Sequence, residues 1–120
     1  MTPSLKKQLI KSAACLPKVD GLQKNKLILA TATGLIAGHP CLEIDDCKEG
    51  DDFSQFLFNI LAQQTEEYCK HFGVEKPLAA DDGYLILTDV TIQRENGVVN
   101  MSNLIVFYDQ IVGMSIGDLN

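Results

Sequence analysis

The sequence predicts an α+β fold. The expected form is a small, strongly bent five-stranded antiparallel barrel, with an N-terminal helix and a long helix inserted between strands 2 and 3. Three observations predict it. Residues 53–72 repeat apolar side chains in a 3,4 rhythm through several turns. Residues 84–116 are rich in β-branched and aromatic residues and are divided by Glu95-Asn96-Gly97, a hairpin signal. Residues 26–43 hold two further strand-like runs around Thr33-Gly34. Five short strands cannot hide both faces in a flat sheet, whereas closing the sheet or wrapping it on a helix would hide them. An open antiparallel sheet packed on the one long helix is the alternative arrangement.

Each element has local reasons. Thr2 is the expected N-cap of the first helix, and Pro3 its first residue, where a missing N–H costs nothing. Leu5, Leu9, Ala13 and Leu16 form its apolar stripe, with Lys6, Lys7 and Lys11 away from it; Pro17 stops it and Asp20-Gly21 turns the chain. Lys26–Ala32 is the first strand. Leu35–Glu43 is the second, where Gly38 marks a bend or bulge and Pro40 puts that half of the strand at an edge. Asp52 and Gln55 form a capping box for the long helix. Its core stripe is Phe53, Phe56, Leu57, Ile60, Leu61, Gln64, Tyr68 and Phe72, and Gly73 is its left-handed C-cap. Val74–Gly83 is a linker. Tyr84–Gln93, Val98–Tyr108 and Ile111–Ile116 are the last three strands, with Asp109-Gln110 as a short turn.

Composition bounds the function. The chain has 120 residues, 46% of them hydrophobic and 22% charged, which suits a single domain and not a disordered chain. Residues 1–43 and 83–120 form the barrel unit with its leading helix; residues 44–82 form an acidic loop and helical insertion. The net charge of −6 opposes sequence-independent nucleic-acid binding, which depends on Lys and Arg neutralising phosphates. The charge is uneven: residues 1–40 hold six lysines and one aspartate, so an anion-facing role is confined to that front. No apolar run approaches the roughly 20 residues that span a bilayer. Lys6, Lys7 and Lys11 interrupt any secretory hydrophobic region, so the expectation is a cytoplasmic protein with reduced cysteines.

Several strand sequences resemble one family. Lys-Leu-Ile-Leu-Ala-Thr-Ala-Thr-Gly-Leu-Ile-Ala-Gly (26–38) is similar to the first strand, glycine turn and second strand of Sm-like small β-barrel proteins. Residues 84–92 resemble their third strand, and residues 104–116 their fourth strand, turn and fifth strand. The resemblance implies a bent barrel and ring-like assembly, in which strand four of one subunit pairs with strand five of the next. It also implies a possible single-stranded RNA site. The departures fall on that site. Some forty residues replace the short loop between strands two and three. Tyr108-Asp109 stand where the family has Arg-Gly. No RNA-contacting residue carries over.

Candidate chemistry is sparse. His39, Cys41, Cys47, Cys69 and His71 are soft or borderline metal ligands, but their spacing is unlike zinc ribbons, and cysteine in such a chain commonly packs as a small hydrophobe. Cys69 and His71 point apart on a helix, and Pro40 disturbs a His39–Cys41 pair as nucleophile and base. The acidic run Glu43–Asp52 lacks the closing glutamate of a calcium loop. Gly34 and Gly38 make no phosphate-binding motif, and no cofactor is implied. Lys6, Lys7, Lys11, Lys24 and Lys26 are the anion or RNA candidates. Leu104, Val106, Phe107, Ile111, Val112, Met114 and Ile116 form strands too apolar to be left bare, and are the expected oligomer interface. The resulting expectation is a non-enzymatic Sm-like module that self-assembles or binds a protein partner. An RNA-binding protein and a small metal-binding protein are the alternatives.

Overall fold

A computed structural model describes residues 2–16, 25–42, 52–76 and 78–117. In order these form α1 (Leu5–Ala14), β1 (Lys26–Thr31), β2 (Gly34–Cys41), α2 (Asp52–Phe72), β3 (Tyr84–Arg94), β4 (Gly97–Phe107), a 3₁₀ turn at Tyr108–Gln110, and β5 (Ile111–Gly117). The fold is α+β. The five strands pair antiparallel in the order β4-β3-β2-β1-β5, which leaves β4 and β5 as the two edges of an open sheet. No helix among the described residues is long and apolar enough to cross a membrane.

Two hairpins shape the sheet. Thr31 pairs with Gly34 and Arg94 with Gly97, so each loop is two residues followed by a glycine at positive φ. Asn96 is not among the positive-φ residues; Gly97 alone carries that conformation in its turn. Gly34 is also sterically required, because a Cβ there would lie 2.3 Å from the Gln93 carbonyl oxygen. The bend expected at Gly38 is present. The β2–β3 register shifts between Ala37 and His39, opposite Asp89, which has φ 51 and is skipped by the β4 ladder. A Cβ at Gly38 would lie 3.0 Å from the Leu87 Cβ. Pairing with β1 stops at Gly38, so among the described strands β3 alone pairs with His39–Cys41, and Pro40 sits in that stretch.

The helices pack through faces other than their most apolar ones. Ser4, not Thr2, caps α1: its hydroxyl accepts from the Lys7 N–H at 3.0 Å. Pro3 instead bridges Ala80, with Ser4 N–H donating to the Ala80 carbonyl and Ala80 N–H to that of Thr2. The buried face of α1 is Lys7, Ile10 and Ala14; Leu5 and Leu9, on the far side, are exposed. In α2 the residues turned inward are Ser54, Phe58, Leu61, Thr65 and Cys69, whereas Phe53, Phe56, Ile60, Tyr68 and Phe72 face out. Helix α2 begins at Asp52, whose side chain, and with it the expected capping box, lies outside the described residues. Gly73 has φ 64, and Val74 N–H returns to the Cys69 carbonyl at 2.9 Å, the expected left-handed C-cap. The predicted stop at Pro17, the turn at Asp20-Gly21 and the acidic loop lie outside the described residues.

Alternation along β3 divides the interior. Leu85 and Leu87 join Leu27, Leu29, Val106, Tyr108 and Ile111 in the main core, which α1 covers with Ile10 and Ala14. Tyr84 and Ile86 point to the other face, where Cys41 and α2's Phe58 and Leu61 meet them. Two polar contacts fasten α2 there: Thr65 Oγ1 lies 3.1 Å from the Tyr84 hydroxyl, and Asn103 Nδ2 donates to Ser54 Oγ at 3.3 Å.

The most consequential buried group is Lys7, which is 2% exposed. Its ammonium donates to the carbonyl oxygens of Leu78, at 2.7 Å, and Asp82, and lies 5.6 Å from the centroid of the Tyr108 ring. Ser4 donates to the Asp81 carboxylate, and Lys6 pairs with the same group at 3.8 Å. The segment expected as a passive linker is therefore the clamp that holds α1. Lys7→Met should cost about 2–4 kcal/mol, because it strands two carbonyls that accept from a charge. Urea denaturation checks this; an unchanged midpoint would contradict it.

Candidate functional site

A cleft of about 650 Å³ lies where β2 ends and β3 begins, between α1 and α2. Alpha helix α1 contributes Lys7, Lys11 and Cys15; α2 contributes Phe58, Ala62 and Thr65. Cys41, Leu42, Leu85 and Ile86 form its apolar floor, with Tyr84 and Tyr108 beside them and Lys76 at the loop side. The cleft follows from the packing. The two helices cover opposite faces of β3, so a gap remains around the end of the sheet where the chain enters that strand.

The electrostatics are one-sided. No Asp or Glu is among the described residues that line the cleft, in a chain with 16 acidic against 10 basic residues. Burial pushes the Lys7 ammonium below its ordinary pKa, and Lys11 pushes the same way; Asp82 and Asp81 pull it back up. Tyr108 is raised, by burial first and then by Tyr84. The other described lysines outside the cleft are engaged: Lys6 with Asp81, Lys26 with Asp89 at 3.4 Å and Lys70 with Glu66 at 3.7 Å. Lys11 and Lys76 form no ion pair among the described residues.

The residues singled out from sequence are scattered. Of the lysine front, Lys7 is inside the protein, Lys6 and Lys26 are paired with carboxylates, Lys11 reaches the cleft, and Lys24 lies outside the described residues. Among the metal candidates, Cys41 and Cys69 are buried, His71 is exposed with its ring edge-on to Phe72 at 4.6 Å, and Cys47 is outside the described residues. No three His, Cys, Asp or Glu side chains converge on a metal position among the described residues. The interface set divides. Val106 and Ile111 are buried in this chain's own core, which withdraws them from any surface. Leu104 and Ile116 pack partly against that core, while Phe107, Val112 and Met114 are exposed. The cleft residues Lys76, Tyr84, Thr65 and Tyr108 carried no sequence signal, since they come from four separate segments at irregular spacing.

Compared with protein-family models, curated proteins and solved structures, the chain matches none.

His39 is half-buried beside Lys26, and its pKa is lowered from the ordinary 6.5, by burial first and then by Lys26, against the pull of Asp89. The sign follows from linkage. The unfolded ring takes a proton before the folded one, so stability is lost as pH falls through about 6.5 toward the folded value. His39→Gln should remove this component from the stability–pH curve. Urea midpoints between neutral and mildly acidic pH measure it; identical curves would contradict it.

Proposed function

We propose that this chain is a non-enzymatic, Sm-like self-assembling module, in which the β4 edge of one copy pairs with the β5 edge of the next. The observation that carries the reading is the chemistry of the two edges. β4 has 11 residues and β5 has 7, and neither contains a charged residue or a proline. Soluble proteins ordinarily blunt an edge with lysine, proline or an inward charge, because its unpaired N–H and C=O groups recruit another strand. Here both edges carry exposed apolar side chains instead: Val98, Met101 and Phe107 on β4, Val112 and Met114 on β5.

The strand order supports the same reading. It leaves the fourth and fifth strands at the two edges, the pair through which Sm-like proteins assemble. Edge-to-edge addition supplies backbone hydrogen bonds for affinity and side-chain contacts for register. Two different edges meeting make a head-to-tail contact, which closes into a ring when the rotation permits. In such a ring the open sheet continues from copy to copy. The cytoplasmic reading of the sequence goes with this proposal.

Light scattering on the purified chain tests it, and the expected result is a discrete oligomer. Met101→Lys with Val112→Lys places charge on both edges at exposed positions, and should shift the protein to monomer without loss of folded signal. A wild-type chain that stays monomeric at high concentration would overturn the proposal. So would a doubly charged variant that assembles as before.

A further inference from the structure

We propose that the cleft between α1 and α2 is a binding site for an amphipathic carboxylate, a fatty-acid-like ligand whose head meets Lys11 and Lys76 and whose chain lies along Phe58, Leu85 and Ile86. The proposal is independent of the assembly reading, since it uses neither sheet edge.

Size and lining come first. A volume of about 650 Å³ lies within the range of ligand sites, roughly 300–1,000 Å³. Such sites are mainly apolar with a few convergent polar groups, and this one follows that form. An aliphatic and aromatic floor is bordered by lysines, with the Tyr84 and Thr65 hydroxyls 3.1 Å apart on one wall.

The sign of the charge is the deciding observation. The described lysines sort by location. Lys6, Lys26 and Lys70, outside the cleft, each have a carboxylate partner. Lys7, Lys11 and Lys76, which line it, form no ion pair among the described residues. Lys7 donates to two neutral carbonyls and makes no direct ion pair among the described residues, with Asp82 and Asp81 acting on it from farther off. It serves as a fixed charge at the base of the cleft and needs no direct contact with a ligand. Among the described residues, the concave, apolar lining therefore holds three lysines and no carboxylate. The complement is a negative head on an apolar body. A hydrophilic anion would leave the floor unused, and an apolar alcohol would leave the lysines unused.

Calorimetric titration of the full chain with dodecanoate at low salt, below its micelle concentration, tests this. The expected result is saturable binding at one site per chain. Lys11→Gln with Lys76→Gln should weaken it roughly tenfold or more. Ala62→Trp, at an exposed position on the cleft wall, should abolish it by filling the space. Dodecyltrimethylammonium, with the same chain and the opposite charge, should not bind. Absence of saturable dodecanoate binding to the wild-type protein would overturn the proposal. Equal binding of the cationic detergent would do the same. Binding that ignores both sets of substitutions would place the ligand elsewhere and also overturn it.

Discussion

The ammonium of Lys7 is the constraint around which the described structure is arranged. A buried charge is tolerated only when its donors are satisfied, and three groups from distant parts of the chain meet this one. They are the carbonyls of Leu78 and Asp82 and the face of Tyr108. Each partner is fixed by its own context. Tyr108 belongs to the 3₁₀ turn between β4 and β5 and is buried in the main core. Residues 78–83 are held by the Pro3–Ala80 bridge and by Gly83, whose φ of 115 and closeness to the Tyr108 ring leave no room for strain-free substitution. Through Lys7, α1 is locked to the sheet in one rotation about its axis, with Ile10 and Ala14 delivered to the core.

Consequences run outward from that rotation. Because α1 covers one face of β3 and α2 the other, the end of the sheet where β2 leaves and β3 enters is left concave. Lys7 and Lys11 of α1 line that concavity, which gives the cleft its charge. At the far sides of the sheet nothing comparable happens. Among the described residues no sixth strand pairs with β4 or β5, and the two edges keep their unpaired backbone. Lysines line the cleft, and charge is absent from the two edge strands, where it would oppose strand addition.

Much of the fold was legible in the sequence, for local reasons. Gly34, Gly38, Gly73 and Gly97 punctuate the chain where glycine is conformationally or sterically useful, and alternating runs identify strands regardless of partners. What was illegible depended on distant partners. Hydrophobic periodicity puts Leu5 and Leu9 on the inner face of α1, but the capture of Lys7 by carbonyls more than seventy residues away rotates the helix against that pattern. In α2 the apolar side chains exceed what one face can bury, so periodicity names a stripe while the contacts with Tyr84, Ile86 and Asn103 select Phe58, Leu61 and Ser54. The C-terminal strands looked uniformly sticky in sequence. Only the pairing shows that Val106 and Ile111 turn inward while Val112 turns out. The cleft could not be found from spacing, because its residues converge from both helices, two strands and a loop.

The state of Lys7 is open to direct observation. Heteronuclear NMR on protein labelled with ¹⁵N-lysine would detect its side-chain amine. The account requires a protonated, slowly exchanging ammonium at neutral pH, with through-space cross-peaks to the Tyr108 ring protons. A Lys7 signal that exchanges as fast as that of exposed Lys76, with no cross-peak to Tyr108, would contradict it.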